Sequence, residues 1–536
     1  MILKQLKKTI ACLCISALTV SALSGCAKDP TGEETTGGTS TTISGKETSN
    51  NTFTYAIAGD PGSNVNVITT SDRFGLMTIK MIYSPLLMYN ADGINWFLAK
   101  DVEVSKDQLT YTFHLRDDVK WSDGQPFTAD DVVFTYQAME DEKNAGWAYS
   151  QLVYDQGAVK IEKIDDYTVA MTMPFVNASA LEMLSNIFIM PKHIYENVTD
   201  FENNEYNTKP VGTGPYVMSE YSAGSYVKFT KNDTYFLGTP NIDTIIFQVI
   251  ENSNTAMLAI QSGEVNAWIG TPSEVQQMKI EENNLKTIAY SEGRVGYLMI
   301  NANRIKDEKV RQALLFALNR EEMNQAAFLS KENYETPYSF IPPGNEYFTE
   351  NVEKYDQNIE KSKQMLKEAG VDKLKIKLGF ASSDPVQQKQ AVMVQEQLQK
   401  VGVTVELAGG DATALSNAMK DPDNDYDAYF GGYIMGIDPD TFSSLFESTA
   451  AFNYMHYDYP NIDKLFQEGR TETDTKKRKE IYTKLQQELQ QTGCFYPITS
   501  NKRILVISNN ITGIEEAKLV PVYTFEDTSK LKINES

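Results

Sequence analysis

Nucleophiles, proton carriers and metal ligands are scarce in this chain, and where they occur they stand apart. The histidines are His114, His193 and His456, and no H-E-x-x-H pair exists to hold a zinc ion. The cysteines are Cys12, Cys14, Cys26 and Cys494, with no cysteine–histidine zinc spacing beyond the N-terminal segment. No G-x-x-x-x-G-K-[ST] loop is present to cradle a triphosphate, and no G-x-S-x-G elbow to present a serine. The run "GTGPY", Gly212 to Tyr216, lacks the third glycine of a dinucleotide fingerprint, and Pro215 would break the helix such a site needs. It reads instead as a bend between lobes. Catalytic triads are recognised by geometry and can escape a motif search, but nothing here points to catalysis, a metal or a cofactor.

Charge and the N-terminus narrow the setting. The 536 residues allow roughly three domains, and 49 Lys and Arg against 72 Asp and Glu give a net charge of −23. No basic stripe offsets that balance, which argues against nucleic acid. "MILKQLKK" followed by "TIACLCISALTVSAL" is a basic region and an apolar stretch of export-signal length, too short to span a bilayer. Leu23-Ser24-Gly25-Cys26 then resembles a bacterial lipobox, which implies cleavage after residue 25 and acylation of Cys26. More than one acyl chain gives stable anchoring. From residue 26 to 51 the chain is dominated by Gly, Ser and Thr with scattered charge and almost no apolar residue, so it reads as a flexible tether. Its typical reach is about 25–30 Å. With the leader removed and Cys26 acylated, Cys494 has no disulfide partner and reads as a small apolar core residue.

The body alternates strands and helices. "LTYTFHLRDD" carries Leu109, Tyr111, Phe113 and Leu115 at period two, and Asp123-Gly124 turns the chain. In "FTADDVVFTYQAM", Thr128 and Asp131 have capping-box spacing ahead of an apolar stripe. "YTVAMTMPF" alternates again. "LKIKLGF", a helix opened by Asp384 and Pro385 and closed by Gly402, and "VTVEL" predict a parallel strand–helix–strand unit. "NIEKSKQMLKEAG" predicts a helix stopped by Gly370, and "KVRQALLFALNREEM" predicts another. The class is therefore α/β with more than one lobe.

In chain order, "LTYTFHLRDDVKWSDGQPFTADDVVFTYQAM", "GTGPY", "NIDTIIFQVIENSNTAMLAIQSGEVNAWI", "KVRQALLFALNREEM", "IPPG" and "YDAYFGGYIMGIDPDTF" resemble extracellular solute-binding proteins of family 5, the oligopeptide, dipeptide and nickel receptors of ABC importers. The resemblance implies a type II periplasmic-binding-protein fold, bilobal with three domains and a ligand cleft between lobes. Domain I would comprise residues 52–90, 211–300 and 500–536, domain II 91–210, and domain III 301–499. It also implies a peptide ligand, a membrane permease as partner, a monomer, and a place on the extracytoplasmic face of the cell membrane, held through Cys26. Dipeptides, oligosaccharides or metal chelates could fill the same cleft. A surface-anchored hydrolase or adhesin is the alternative from another class.

A receptor for varied peptides must grip what all peptides share: main-chain N–H and C=O groups and terminal charges. In family members that bind short peptides, an aromatic residue is followed three residues later by an aspartate for the ligand amine. Here Tyr433 fills the aromatic position, but three residues on stands Gly436. The resemblance assigns main-chain contact to Gly432, Tyr433, Ile434 and Gly436, with Asp438 as either an amine partner or a turn cap. Arg73 is a candidate for a ligand carboxylate, and Trp147 and Trp268 for packing on ligand side chains or for burial in a core.

Overall fold

The structure, a computed structural model, describes residues 51–534 except 64, 91, 92, 435 and 451. The export signal (1–25), Cys26 and all of the tether but Asn51 lie outside the described residues.

Among the described residues the largest sheet has twelve strands and divides into two halves. In the first half, Thr52–Ile57 pairs in parallel with Thr244–Val249 and with Ala267–Gly270. The antiparallel strands Tyr226–Lys231 and Tyr216–Ser222 extend that side. In the second half, Leu374–Ala381 lies parallel to Val403–Gly410 in register from Leu374↔Val403 to Ala381↔Gly410. On its other side it meets Ala428–Tyr433, which pairs antiparallel with Val295–Ile300. The helix between the first two is Pro385–Gln399, with the Asp384 side chain accepting from the Val386 and Gln387 amides. The predicted crossover unit is therefore present.

One strand joins the halves. Phe495–Ser508 is 14 residues long. Its first part pairs with Val295–Ile300, and its later part with Leu285–Ser291 and Ala267–Gly270. The consecutive strands Leu285–Ser291 and Val295–Ile300 cross beside it through Glu292, Gly293 and Arg294. Two adjacent extended segments thus carry the chain between halves, each of which packs its own core. The first core centres on Phe53, Tyr55, Phe113 and Trp121. A smaller one in the same half gathers Ala56, Ile260 and Val506, and two more lie on the faces of the second half, around Leu314 and Tyr496 on one and Tyr297 and Phe495 on the other. Cys494 is fully buried there, and burial pushes its thiol up to about 11.

A separate antiparallel sheet has the order Ala99–Val104, Thr110–Leu115, Thr168–Thr172, Lys160–Asp165. Tyr111, Phe113 and Leu115 face the core, as their alternation predicts. The helix Ala129–Glu140 begins where expected, with the Thr128 amide donating to Asp131 Oδ2 at 2.9 Å. Asp131 is buried and also accepts from the Lys192 amide at 2.9 Å and Trp121 Nε1 at 3.4 Å. The "WSDGQPFTADDV" stretch is therefore a structural clasp. It ties a turn, a helix start and a distant segment through one carboxylate.

Two expectations need correction. "KVRQALLFALNREEM" is not one helix but Glu308–Phe316 and Arg320–Phe328. Asn319 breaks it because its side chain caps the second helix at the Glu322 amide, 3.1 Å away. "GTGPY" is not a bend between the two halves of the large sheet. It packs on the end of helix Arg73–Ile82, where the Gly214 amide donates to the Ile82 carbonyl at 2.7 Å. A Cβ on Gly212 would stand 1.9 Å from that carbonyl oxygen, so the approach requires glycine.

Candidate functional site

Strand Ala428–Tyr433 is positioned to take an extended ligand. One edge is fully paired with Val295–Ile300, whereas the other meets Leu374–Ala381 only at Ala428 and Tyr429. From Phe430 onward that edge has no strand partner among the described residues, at the C-terminal ends of parallel strands where α/β sheets open crevices. Gly432, Ile434 and Gly436 are exposed along the segment, and the alternate residue Tyr433 is buried. Tyr433 belongs to the core: its hydroxyl donates to the Phe340 carbonyl at 2.6 Å, and it packs against Tyr297, Phe442 and Phe495. A main-chain platform is thus fixed from behind by aromatic rings.

Three cavities adjoin the segment. The largest, about 890 Å³, has Trp147, Tyr154, Asn177 and Glu182 on one wall and Ile434, Gly436, Asp440 and Arg470 on the other. A second of about 280 Å³ shares Gly436 and reaches Gly293, Pro342 and Val520. The third, about 260 Å³, lies at the opposite end, between Gly431–Gly432 and the end of strand Leu374–Ala381. The largest alone is of the size that ligand sites commonly occupy.

The candidate residues are not all brought together. Asp438 has both oxygens taken: Arg478 Nη1 and Nη2 reach them at 2.5 and 2.7 Å, and the Asp440 amide donates to Oδ1 at 2.9 Å. In this structure it serves as a cap and ion-pair partner. Arg73 stands 2.8 Å from Glu292, which also holds Arg503 at 2.5 Å, so it is engaged at the crossing between the halves. Trp147 lines the largest cavity, with its Nε1 donating to the Val67 carbonyl at 3.0 Å. Trp268 does not reach it; it is buried among Ala56, Ile260 and Val506.

Sequence reasoning missed Glu182. From the wall opposite, its carboxylate accepts from the Ile437 amide at 2.6 Å and the Asp438 amide at 2.5 Å. A second bond across the same gap runs from the Ala178 amide to the Arg470 carbonyl at 2.8 Å. Burial, and then the charge of Asp438, pushes Glu182 up to about 7 despite those two amides. No sequence signal marked it, because its partners are main-chain groups 255 and 256 residues away. Asp440 beside it is buried and bonded to Arg470 at 2.8 Å, and Arg470 also reaches Glu447 at 3.1 Å. Among the described residues no group of three His, Cys, Asp or Glu is placed to hold a metal ion, and no helix is long and apolar enough to cross a membrane.

Residues 94–454 match the family described as bacterial extracellular solute-binding proteins, family 5 (middle region). The oligopeptide-binding protein AppA of Bacillus subtilis is 30% identical over 532 residues, covering 92% of this chain and 94% of its own. Its structure in complex with a nonapeptide superposes with a TM-score of 0.74 at 28% identity, over 90% of this chain and 99% of that one. The ABC transporter substrate binding protein CtaP of Listeria monocytogenes superposes with a TM-score of 0.86 at 37% identity, over 90% and 99% of the two chains.

Proposed function

Because the chain belongs to the bacterial extracellular solute-binding proteins of family 5, a family of binding receptors rather than enzymes, we propose that it captures oligopeptides for an ABC importer. The observation that carries this reading is the open strand edge from Phe430 to Tyr433, with Ile434 and Gly436 exposed beyond it and cavities at both ends. A peptide laid along it gains main-chain hydrogen bonds whatever its sequence, while the cavities receive side chains. The AppA complex, whose ligand is a nonapeptide, supports a long ligand. Loading follows from the two crossing segments, 291–295 and 499–502. They allow the halves to part, and Glu182 and Ala178 are the contacts that re-form on closure. Residues 52–90, 211–300 and 500–536 form the first domain of this reading, 91–210 the second and 301–499 the third.

Refolding the protein free of ligand and offering pools of peptides, oligosaccharides and metal chelates tests the reading directly. Peptides are expected to be retained in native mass spectrometry. At 100 times Kd they add about 2.7 kcal/mol to the unfolding free energy. Retention of sugars or chelates with peptides rejected would overturn it.

The place of action rests on the lipobox. With Cys26 acylated, the receptor stays at the membrane on its tether, within reach of a permease. Cys26→Ala is expected to move the protein from the membrane fraction to the medium or periplasm. Undiminished membrane retention of the variant would remove the anchor.

A further inference from the structure

Three carboxylates line the 890 Å³ cavity, those of Asp155, Glu182 and Asp440, against one guanidinium, that of Arg470. Closing the cavity over a peptide therefore encloses more negative charge than positive. Arg470 is shared between Asp440 at 2.8 Å and Glu447 at 3.1 Å. Asp155 is exposed and keeps its water. Glu182 has neither support: it is part-buried, and the Ile437 and Asp438 amides that hold its carboxylate bring no full charge.

The groups around Glu182 fix the direction of the effect. Beyond the two amides stands the Asp438 carboxylate, matched by a fork from Arg478. From strand Leu87–Asn90 comes the Tyr89 phenol, which burial and then the charges of Glu346 and Glu182 keep neutral. Burial raises Asp440 and Glu447 as well, but Arg470 lies on their own wall, so their pairing survives when the walls part. None of the three histidines lines the cavity, so the side chain that ordinarily titrates near neutral pH does not act there. Of these carboxylates Glu182 is the one that reaches across, and its surroundings change with closure.

We propose that Glu182 is a proton-coupled latch: the receptor takes up one proton from solvent as it closes over its peptide, so that acid surroundings favour capture. With the walls parted, the carboxyl faces water and its ordinary value of about 4.3 applies. With the walls closed, burial and then Asp438 push it up to about 7. A peptide in the cavity displaces more of its water and acts in the same direction. The closed state thus holds the proton more tightly. Between the two values closure draws a proton from solvent and opening returns it. A protonated carboxyl keeps acceptor capacity on its oxygens, so the amides of Ile437 and Asp438 stay bonded. Capture is strongest in acid, and release is eased toward neutral pH and above.

The latch rests on the peptide reading above, and the test separates the two. The probe is a pool of hexapeptides built only from Ala, Leu, Phe, Ser and Gln, so that no ligand side chain titrates. Equilibrium dialysis against ligand-free wild-type protein is expected to show affinity rising about 10-fold from pH 7.5 to pH 5.5. Calorimetry of the best-retained member at pH 6.5, in two buffers of different ionisation enthalpy, is expected to show uptake of roughly 0.5–1 proton per peptide. Glu182→Gln, uncharged and of the same shape, is expected to bind with nearly equal affinity at both pH values and to take up no proton. A merely structural Glu182 would instead weaken the variant at both pH values and leave the slope in place. Equal wild-type affinity at both pH values, or a slope that survives in Glu182→Gln, overturns the latch and leaves the peptide reading standing. Retention of no peptide at either pH overturns both. The wild-type proton count needs no variant, and a value near zero overturns the latch even if Glu182→Gln fails to fold.

Discussion

Asp438→Ala is expected to lower the unfolding free energy by about 3–5 kcal/mol, the cost of leaving a buried charge without its partner. The partner is Arg478, whose side chain is 5% exposed against 8% for Asp438, so neither can turn to water when the other is lost. Arg478 enters from the first turn of helix Thr475–Gln491. It is held by the Gly469 carbonyl at 2.8 Å and the Tyr347 hydroxyl at 3.1 Å, and these cannot neutralise it. Asp438 also caps the turn that carries Asp440, so the loss reaches the wall of the largest cavity. Asp438→Asn keeps an acceptor for one guanidinium bond and is expected to fall between wild type and alanine. Urea unfolding followed by circular dichroism measures both. A loss under about 1 kcal/mol for alanine would mean that water enters and the pair contributes little.

Glu292→Ala is expected to cost somewhat less, about 2–3 kcal/mol, and to weaken ligand binding as well. Glu292 is 2% exposed, but Arg73 and Arg503 are 24% and 35% exposed, so the two cations left behind can recover part of their hydration. Their mutual repulsion at the crossing between the halves is the added effect, because it acts where the halves must keep their register. Burial pushes the Glu292 carboxyl up, but Arg503 and Arg73 more than offset it and leave it below the ordinary value. Its contribution is therefore present above the unfolded carboxylate value of about 4.3 and is lost as pH falls through the lower folded one. The wild-type protein should lose stability across that acid window more steeply than Glu292→Gln. Parallel pH profiles would exclude Glu292 as a source of the acid sensitivity.

Both variants concern residues whose roles the sequence left open, and the pattern of what was legible is physical. Period-two alternation in "LTYTFHL" and "LKIKLGF", the Asp384 cap and the Gly402 stop are local signals, and the elements they predict are present. The run from Lys309 to Met323 was misjudged because helix propensity alone does not weigh a capping asparagine inside an apolar pattern. The "WSDGQPFTADDV" signature carried the family resemblance, yet its Trp121 and Asp131 hold a turn and a helix start together. The "GGYIMG" motif did mark the open segment, whereas Glu182 opposite it carried no sequence signal.

By itself the chain determined its class, its secondary elements, its family resemblance and the expectation of a lipidated N-terminus at Cys26, because composition, periodicity and short spacings are properties of neighbouring residues. Which charges meet was decided only by the tertiary structure. Asp438 and Arg478 are 40 residues apart, Glu292 and Arg503 are 211 apart, and Glu182 finds its amides 255 residues away. No local pattern encodes such pairings, since they depend on which strands lie side by side. The tertiary structure also set Arg73 and Arg294 apart: one guanidinium meets a buried carboxylate, and the other crosses Gly432 on the open edge.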